Sequence, residues 1–349
     1  MVERLTYKKA GVDIAAADQA VQLIKARLRS TYGTSVIGDV GSFASLFSLG
    51  DIKLDEPVLV ASTDGVGTKS LVAQATGRLD SIGIDLVAMC VDDVVCQGAK
   101  PLFMLDYLAV GKVNPKHIED LVGGIARGCR IAGCALVGGE IAEQSEVYGE
   151  NGFDLAGFVV GVVERARILG PEKVRPFDVL VGLHSPGLRS NGYTLARRVF
   201  LSGGNEQERL NSPAWQGSTR SLADELLEPS VIYAPTVLLA AATDGLHAVA
   251  HITGGGIPSN LSRVLPESCD AVVNRSSWEP PGIFRAIQLE GGVEEDEMWN
   301  VFNMGVGMVL VVDGQSLDSV IDVVRDAKLG ASVIGEIVPG TGRVRWADG

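Results

Sequence analysis

Ser62-Thr63-Asp64-Gly65-Val66-Gly67-Thr68-Lys69 brings an acid, two glycines and a cation together within eight residues. Asp64 offers hard carboxylate oxygens, and Lys69 places a positive charge five residues on. Gly65 and Gly67 let the backbone turn sharply and come close to a ligand. Successive backbone N–H groups in such a turn form a concave anion site. Mg²⁺ favours carboxylates and keeps phosphate oxygens among its other ligands. The stretch therefore reads either as a loop for a metal-bound polyphosphate or as a plain strand-to-helix turn. It is not a Walker A loop, because Thr68 rather than glycine precedes Lys69.

Acids recur downstream. Asp85, Asp92 and Asp93 lie on the apolar segment 82–97, and Asp85 and Asp92, seven apart, share nearly one helical face. Burying such carboxylates without a cation or donors is costly, so either cations or donors meet them or one or two simply face water, the latter reading being stronger for Asp92 than for Asp93, which Val94-Val95 follow. Asp106 sits inside the apolar strand 102–110, and Glu140 follows Gly138-Gly139. Acids at several strand ends resemble a cation and phosphate site gathered from separate segments. In the second half, Ser185-Pro186-Gly187-Leu188-Arg189-Ser190-Asn191-Gly192-Tyr193 is a polar turn before a helix. It suits a phosphate or an ordinary helix cap. His251 precedes Thr253-Gly254-Gly255-Gly256, a second candidate anion loop. The histidine suits either proton transfer or a structural role.

Helices and strands must alternate to position these groups. Apolar, β-rich runs predict strands at 57–61, 102–110, 134–137 and 154–163, then at 179–183, 247–252, 307–312 and 332–337. Helices are expected at 15–28, 82–97, 114–132 (started by Asn114-Pro115), 230–242 and from about 313 to 328. Residues 33–50, with Gly38, Gly41, Phe43 and Phe47, read as a mobile loop over a ligand or an irregular connection. The breakers Gly170-Pro171 and Arg175-Pro176 mark a boundary, giving domains 1–168 and 169–349.

The 349 residues are 46% hydrophobic and 21% charged, enough for about two domains with proper cores. The net charge of −13 argues against nucleic acid or an anionic membrane as partner. Cys90, Cys96, Cys129, Cys134 and Cys269 form no C-x-x-C pair and no zinc spacing, and read as reduced thiols of a cytoplasmic protein. No apolar run is long enough to span a bilayer, and the N-terminus has no apolar signal core.

The motifs Y-K-K-A-G-V-D-I, T-D-G-V-G-T-K, G-I-D-L-V-A-M-C-V-D-D, F-M-L-D-Y, L-V-G-G-E, S-N-G-Y-T-L-A-R, A-H-I-T-G-G-G and F-N-M-G-V-G-M occur in that order. Together they resemble the phosphoribosylformylglycinamidine cyclo-ligase (aminoimidazole ribonucleotide synthetase) family from Tyr7 to near the C-terminus. The resemblance implies an α/β (α+β) homodimer: a ferredoxin-like N-terminal domain whose sheet joins the partner's in a dimer barrel, plus a C-terminal α/β substrate domain. It implies ATP and Mg²⁺ as cofactors, a ribonucleotide substrate and purine biosynthesis. In that chemistry ATP phosphorylates the formyl amide oxygen of formylglycinamidine ribonucleotide, a ring-forming nitrogen attacks, and phosphate leaves. The family pattern implies catalytic roles for Asp93, His251 and Lys25. It implies a nucleotide site of Asp64, Gly65, Gly67, Thr68 and Lys69 with Asp106 and Glu140, and a metal on Asp64 and Asp93. Arg189, Ser190, Asn191, Gly254 and Gly255 are implied as substrate-binding.

The chain departs from the pattern in places. Arg189 stands where the family usually has histidine, which removes an acid–base role there and makes the position a phosphate or substrate clamp. Ile141-Ala142-Glu143-Gln144-Ser145 replaces Thr-Ala-Glu-Met-Pro, Asp92-Asp93 replaces Asn-Asp, and Ser259 replaces a frequent Glu. These leave open a paralogue with another substrate or a non-catalytic nucleotide-binding scaffold. Selenophosphate synthetase usually needs a reactive residue near its N-terminus, and no cysteine here precedes Cys90.

Overall fold

The computed structural model describes Thr6 and residues 12–347; the opening motif at 7–11 lies outside the described residues. Apart from a short two-stranded ribbon pairing Val36–Ile37 with Leu46–Phe47 within the 33–50 segment, the first half builds one sheet from β1 (Pro57–Gly65), β2 (Lys100–Val110), β3 (Ala135–Glu143) and β4 (Phe153–Glu164). Their order is β1-β4-β2-β3, antiparallel except for β2 with β3. The main helices accompanying this sheet are α1 (Ile14–Arg29), α2 (Lys69–Thr76), α3 (Ile82–Val95) and α4 (Pro115–Ala132). Asn114 caps α4 by accepting from the backbone N–H groups of Lys116 and His117, Pro115 opens it, and Gly133 ends it at φ 73°. α3 packs so closely on α4 that a Cβ at Gly83 would lie 2.2 Å from the Ile125 nitrogen.

Two expectations are corrected here. With α2 and α3 between β1 and β2, α4 between β2 and β3, and only a single helical turn between β3 and β4, the sheet is built β-αα-β-α-β-β, not the β-α-β-β-α-β of a ferredoxin-like domain. The α4 crossover lays β3 parallel to β2, and the short return through 144–152 sends β4 back antiparallel between β1 and β2. Nor do the glycines at 138–139 end a strand, since β3 continues to Glu143. Gly139 is required inside it, because a Cβ there would lie 1.8 Å from an Asp106 carboxylate oxygen. Side chains alternate across the sheet. Ser62 and Asp64 turn toward the helices, while Leu59, Tyr107 and Phe158 stay exposed on the opposite face.

The second half forms a six-stranded sheet from β5 (Val179–His184), β6 (Leu246–His251), β7 (Cys269–Val273), β8 (Val306–Val312), β9 (Ala331–Pro339) and β10 (Val344–Trp346). The order is β10-β7-β9-β5-β8-β6, and only β7 with β10 is parallel. Every residue of β8 is buried. The sequence pattern missed β7 and β10; Arg275, stacked on Trp346 at 4.2 Å and Trp299 at 5.3 Å, pins the latter. The helices that matter for the site are α5 (Tyr193–Leu201) and α6 (Ala234–Ala241). α6 starts four residues later than the pattern predicts, because Ser230, Tyr233 and Ala234 turn their backbone N–H groups onto carboxylates of α3. No described helix is long and apolar enough to cross a membrane.

Candidate functional site

α3 is the hinge of the site, with one face against the first sheet and another against β6 and α6 of the second half. Its three acids meet different surroundings. Asp85 and Asp92 are fully buried, whereas the Asp93 side chain keeps 42% of its surface. This reverses the expected order for Asp92 and Asp93. The reason is tertiary: Asp92 points at the second half, which covers it.

Each buried acid is paired with a cation and with further donors. Asp85 receives the Lys69 ammonium at 2.8 Å, the Ser230 backbone N–H at 2.8 Å and the Ser230 hydroxyl at 2.6 Å. Asp92 receives the Arg189 guanidinium at 2.8 Å and the backbone N–H groups of Tyr233 and Ala234 at 2.9 and 3.1 Å. Lys69 also donates to the carbonyls of Arg189 and Glu228, at 3.1 and 2.7 Å. Burial pulls its pKa down, against the opposing pull of Asp85.

The open acids are Asp64 and Asp93. Burial raises the pKa of Asp64, and the neighbouring negative charge of Asp93 raises it further. Burial also pulls Asp93 upward, but hydrogen bonds from His251 and Ser62, with the nearby positive charge of Arg263, leave it below the usual carboxylate value. Ser62 Oγ donates to Asp93 Oδ2 at 3.0 Å, and His251 Nδ1 lies 2.9 Å from Asp93 Oδ1. On its other side, His251 Nε2 lies 3.0 Å from an Arg189 nitrogen. A chain of polar contacts thus runs Asp93–His251–Arg189–Asp92 across the two halves.

The loop after β1 meets the polar turn before α5. A Cβ at Gly67 would lie 3.6 Å from the Ser190 carbonyl, and the hydroxyls of Thr68 and Thr194 are 3.1 Å apart. Gly65 N–H folds back on Asp64 Oδ1 at 2.7 Å. Two buried oxygens here, Ser190 Oγ and Asn191 Oδ1, have no partner. Asn191 lies beside Gly254, and Asn260 holds the triple-glycine turn by donating to the carbonyls of Thr253, Gly254 and Gly256. Gly255 sits at φ 93°, where a side chain is strained.

Structure thus gathers Asp64, Gly65, Gly67, Thr68, Asp93, Ser190, Asn191, His251, Gly254 and Gly255 at one seam. It corrects two of the expected ligand contacts. Lys69 and Arg189 reach no ligand space, because both cations are wholly buried and occupied by protein acceptors. Three others are not gathered. Asp106 shares a row and a face with Asp64 but has β4 between them, about 10 Å by strand spacing. Burial pushes its pKa up to about 7, against a backbone hydrogen bond that lowers it. Glu140 pairs across from Tyr107 on the exposed outer face. Lys25 projects from α1 near Asp39. The sequence reading missed Ser62, Asn260, Arg263 and the 228–234 segment; only Asn260, soon after a glycine turn it stabilises, left a local signal.

The comparisons with known proteins agree with this layout. The family described as AIR synthase related protein, N-terminal domain, matches residues 48–163, and its C-terminal domain matches 175–347. The phosphoribosylformylglycinamidine cyclo-ligase of Pseudothermotoga lettingae is 47% identical over 335 residues, 96% of this chain and 97% of that one. The protein of that name from Carboxydothermus hydrogenoformans is 47% identical over 343 residues, 98% and 99% of the two chains. Among solved structures, thiamine-monophosphate kinase from Stenotrophomonas maltophilia superposes with TM-score 0.69 at 18% identity, covering 93% of this chain and 96% of that one. The hydrogenase maturation protein HypE in complex with ATP superposes with TM-score 0.63 at 15% identity, covering 94% and 91%. At such identities these two share the fold alone. With both halves matched and near-complete relatives at this identity, the chain belongs to the phosphoribosylformylglycinamidine cyclo-ligase family.

Proposed function

We propose that this protein closes the ring of formylglycinamidine ribonucleotide to give aminoimidazole ribonucleotide, with ATP converted to ADP and phosphate, as a cytoplasmic enzyme of purine biosynthesis. The observation that carries the reading is the seam, where open carboxylates of one half lie across from orphaned buried oxygens of the other. Residues 1–168 take the nucleotide and 169–349 the ribonucleotide. Two ligand sites on one seam suit transfer between two bound molecules rather than simple hydrolysis.

The donor set fits Mg²⁺, because Asp64 and Asp93 offer hard oxygens and their mutual repulsion favours a cation. Bound there, Mg²⁺ would neutralise phosphate charge. The chain's own residues do the rest. Ser62 and His251 orient Asp93. Gly67 and Thr68 bring backbone close to the nucleotide. Ser190 and Asn191 turn their free oxygens to the ribonucleotide. Its phosphate has the N–H groups at the start of α5, where Gly192 offers no side-chain cap, and Gly254 and Gly255 allow close approach. Phosphorylating the amide oxygen makes it a leaving group, so that the attacking nitrogen forms the new C–N bond as phosphate departs.

A second copy of the chain covers the exposed outer face of the first sheet around Leu59, Tyr107 and Phe158, joining two sheets into one barrel and enclosing Glu140. Light scattering should give twice the 36.7 kDa chain mass; a monomer at all concentrations would refute this. For the reaction, substrate labelled with heavy oxygen at the formyl group should pass the label to inorganic phosphate, with ADP and cyclised product formed one-to-one. Label in water, or ATP use without cyclisation, would overturn the reading.

A further inference from the structure

Arg189 occupies a position that the sequence marked for a substrate clamp, yet its side chain has no exposed surface. One of its terminal nitrogens donates to the Val231 carbonyl at 2.8 Å. The other donates to Asp92 at 2.8 Å and lies 3.0 Å from His251 Nε2. Its flat face rests on the Tyr233 ring at 4.9 Å, and its carbonyl accepts from Lys69. The residue is held so firmly that it keeps φ 63°, a left-handed conformation uncommon for a side-chain-bearing residue.

We propose that Arg189 is a positioning residue, which fixes His251 in the tautomer that carries its proton on Nδ1 and aims that N–H at Asp93. A guanidinium has donors and no acceptor. Facing it, Nε2 must present its lone pair, so the ring proton sits on Nδ1, 2.9 Å from Asp93 Oδ1. The His251 side chain is 3% exposed, which leaves little water to compete. Asp93 then has one oxygen fixed by His251 and the other by Ser62, while its side chain stays 42% exposed. With the opposite tautomer, a ring lone pair would face the carboxylate and push it away. This is the logic by which outer contacts orient a metal-binding carboxylate. Arginine suits the task because one nitrogen reaches Asp92 and His251 together while the other holds Val231.

The inference rests on the proposed role of Asp93, but its first test is independent of activity. Nitrogen NMR of histidine-labelled protein at one pH resolves the four histidines, and His251→Asn identifies the signal of His251. The wild-type spectrum should show Nδ1 protonated and Nε2 bare; a proton on Nε2 would overturn the proposal without any variant. Arg189→Met should release the tautomer, and Mg²⁺-dependent ATP affinity should fall about tenfold. Arg189→Lys, which keeps a donor, should restore the Nδ1–H form. If Arg189→Met fails to fold, His251 variants decide. His251→Asn places an amide N–H near the Nδ1 position and should bind ATP more tightly than His251→Gln, whose amide reaches toward Nε2. Equal affinities, or an unchanged tautomer in Arg189→Met, would overturn the proposal. Loss of cyclisation with these signatures intact would instead overturn the function.

Discussion

Three carboxylates on α3 and one on β1 divide into closed and open pairs. Asp85 and Asp92 are sealed at the join between the halves and hold a buried cation each. Asp64 and Asp93 lie only a short way along the chain from these cations and acids, but keep unsatisfied charge at the seam. The difference teaches which charges are available for chemistry. A buried ion is tolerated only when it is paired and hydrogen-bonded, so Lys69 and Arg189 are consumed by the architecture. Lys69 and Asp64 belong to one short motif, yet one is a strut and the other a ligand candidate.

The sharpest way to break this comparison is Lys69→Met. It strands Asp85 in the interior and should cost about 3–5 kcal/mol of stability in urea unfolding. A loss below about 1 kcal/mol would mean that Asp85 is not a closed acid.

Asp106 shows what burial does without a cation. Folded, it keeps its proton to about pH 7, whereas unfolded it releases it near the ordinary value. The folded state therefore binds more protons between these limits, and stability falls as pH rises through that window before levelling off. Asp106→Asn should remove this term. The variant should be more stable than wild type at pH 8, by at most roughly 4 kcal/mol, and equal to it near pH 4. Thermal melts across that range check it; parallel curves would show that Asp106 is ionised in the fold.

Asp64→Asn probes the open pair. Mg²⁺-dependent ATP affinity should drop at least about tenfold, or about 1.4 kcal/mol, with the melting temperature nearly unchanged. Calorimetry showing unaltered affinity in Mg²⁺ would remove Asp64 from the open class. The smallest effect is expected at Arg78–Asp224, a 2.7 Å ion pair between the halves whose side chains are 47% and 41% exposed. Arg78→Ala should cost less than about 1 kcal/mol, and nothing measurable in molar salt. A larger or salt-independent loss would mean that exposure is not what separates the two kinds of ion pair.

Much was legible in the sequence because its causes are local. Asn114-Pro115 and Gly133 bound α4, the apolar run at 102–110 forms β2, and the order of motifs identifies the family. The cost of three acids on an apolar helix could also be read, and with it the need for cations or donors. What the sequence could not tell was which acids would be sealed. Asp92 meets Arg189 across 97 residues and Asp85 meets Ser230 across 145. The strand order likewise depended on β4 returning between β1 and β2. Propensity and spacing act over a few residues, whereas desolvation and pairing depend on which surfaces meet. Tertiary structure alone therefore decided that Lys69 and Arg189 brace the join and that Asp64 and Asp93 face the seam.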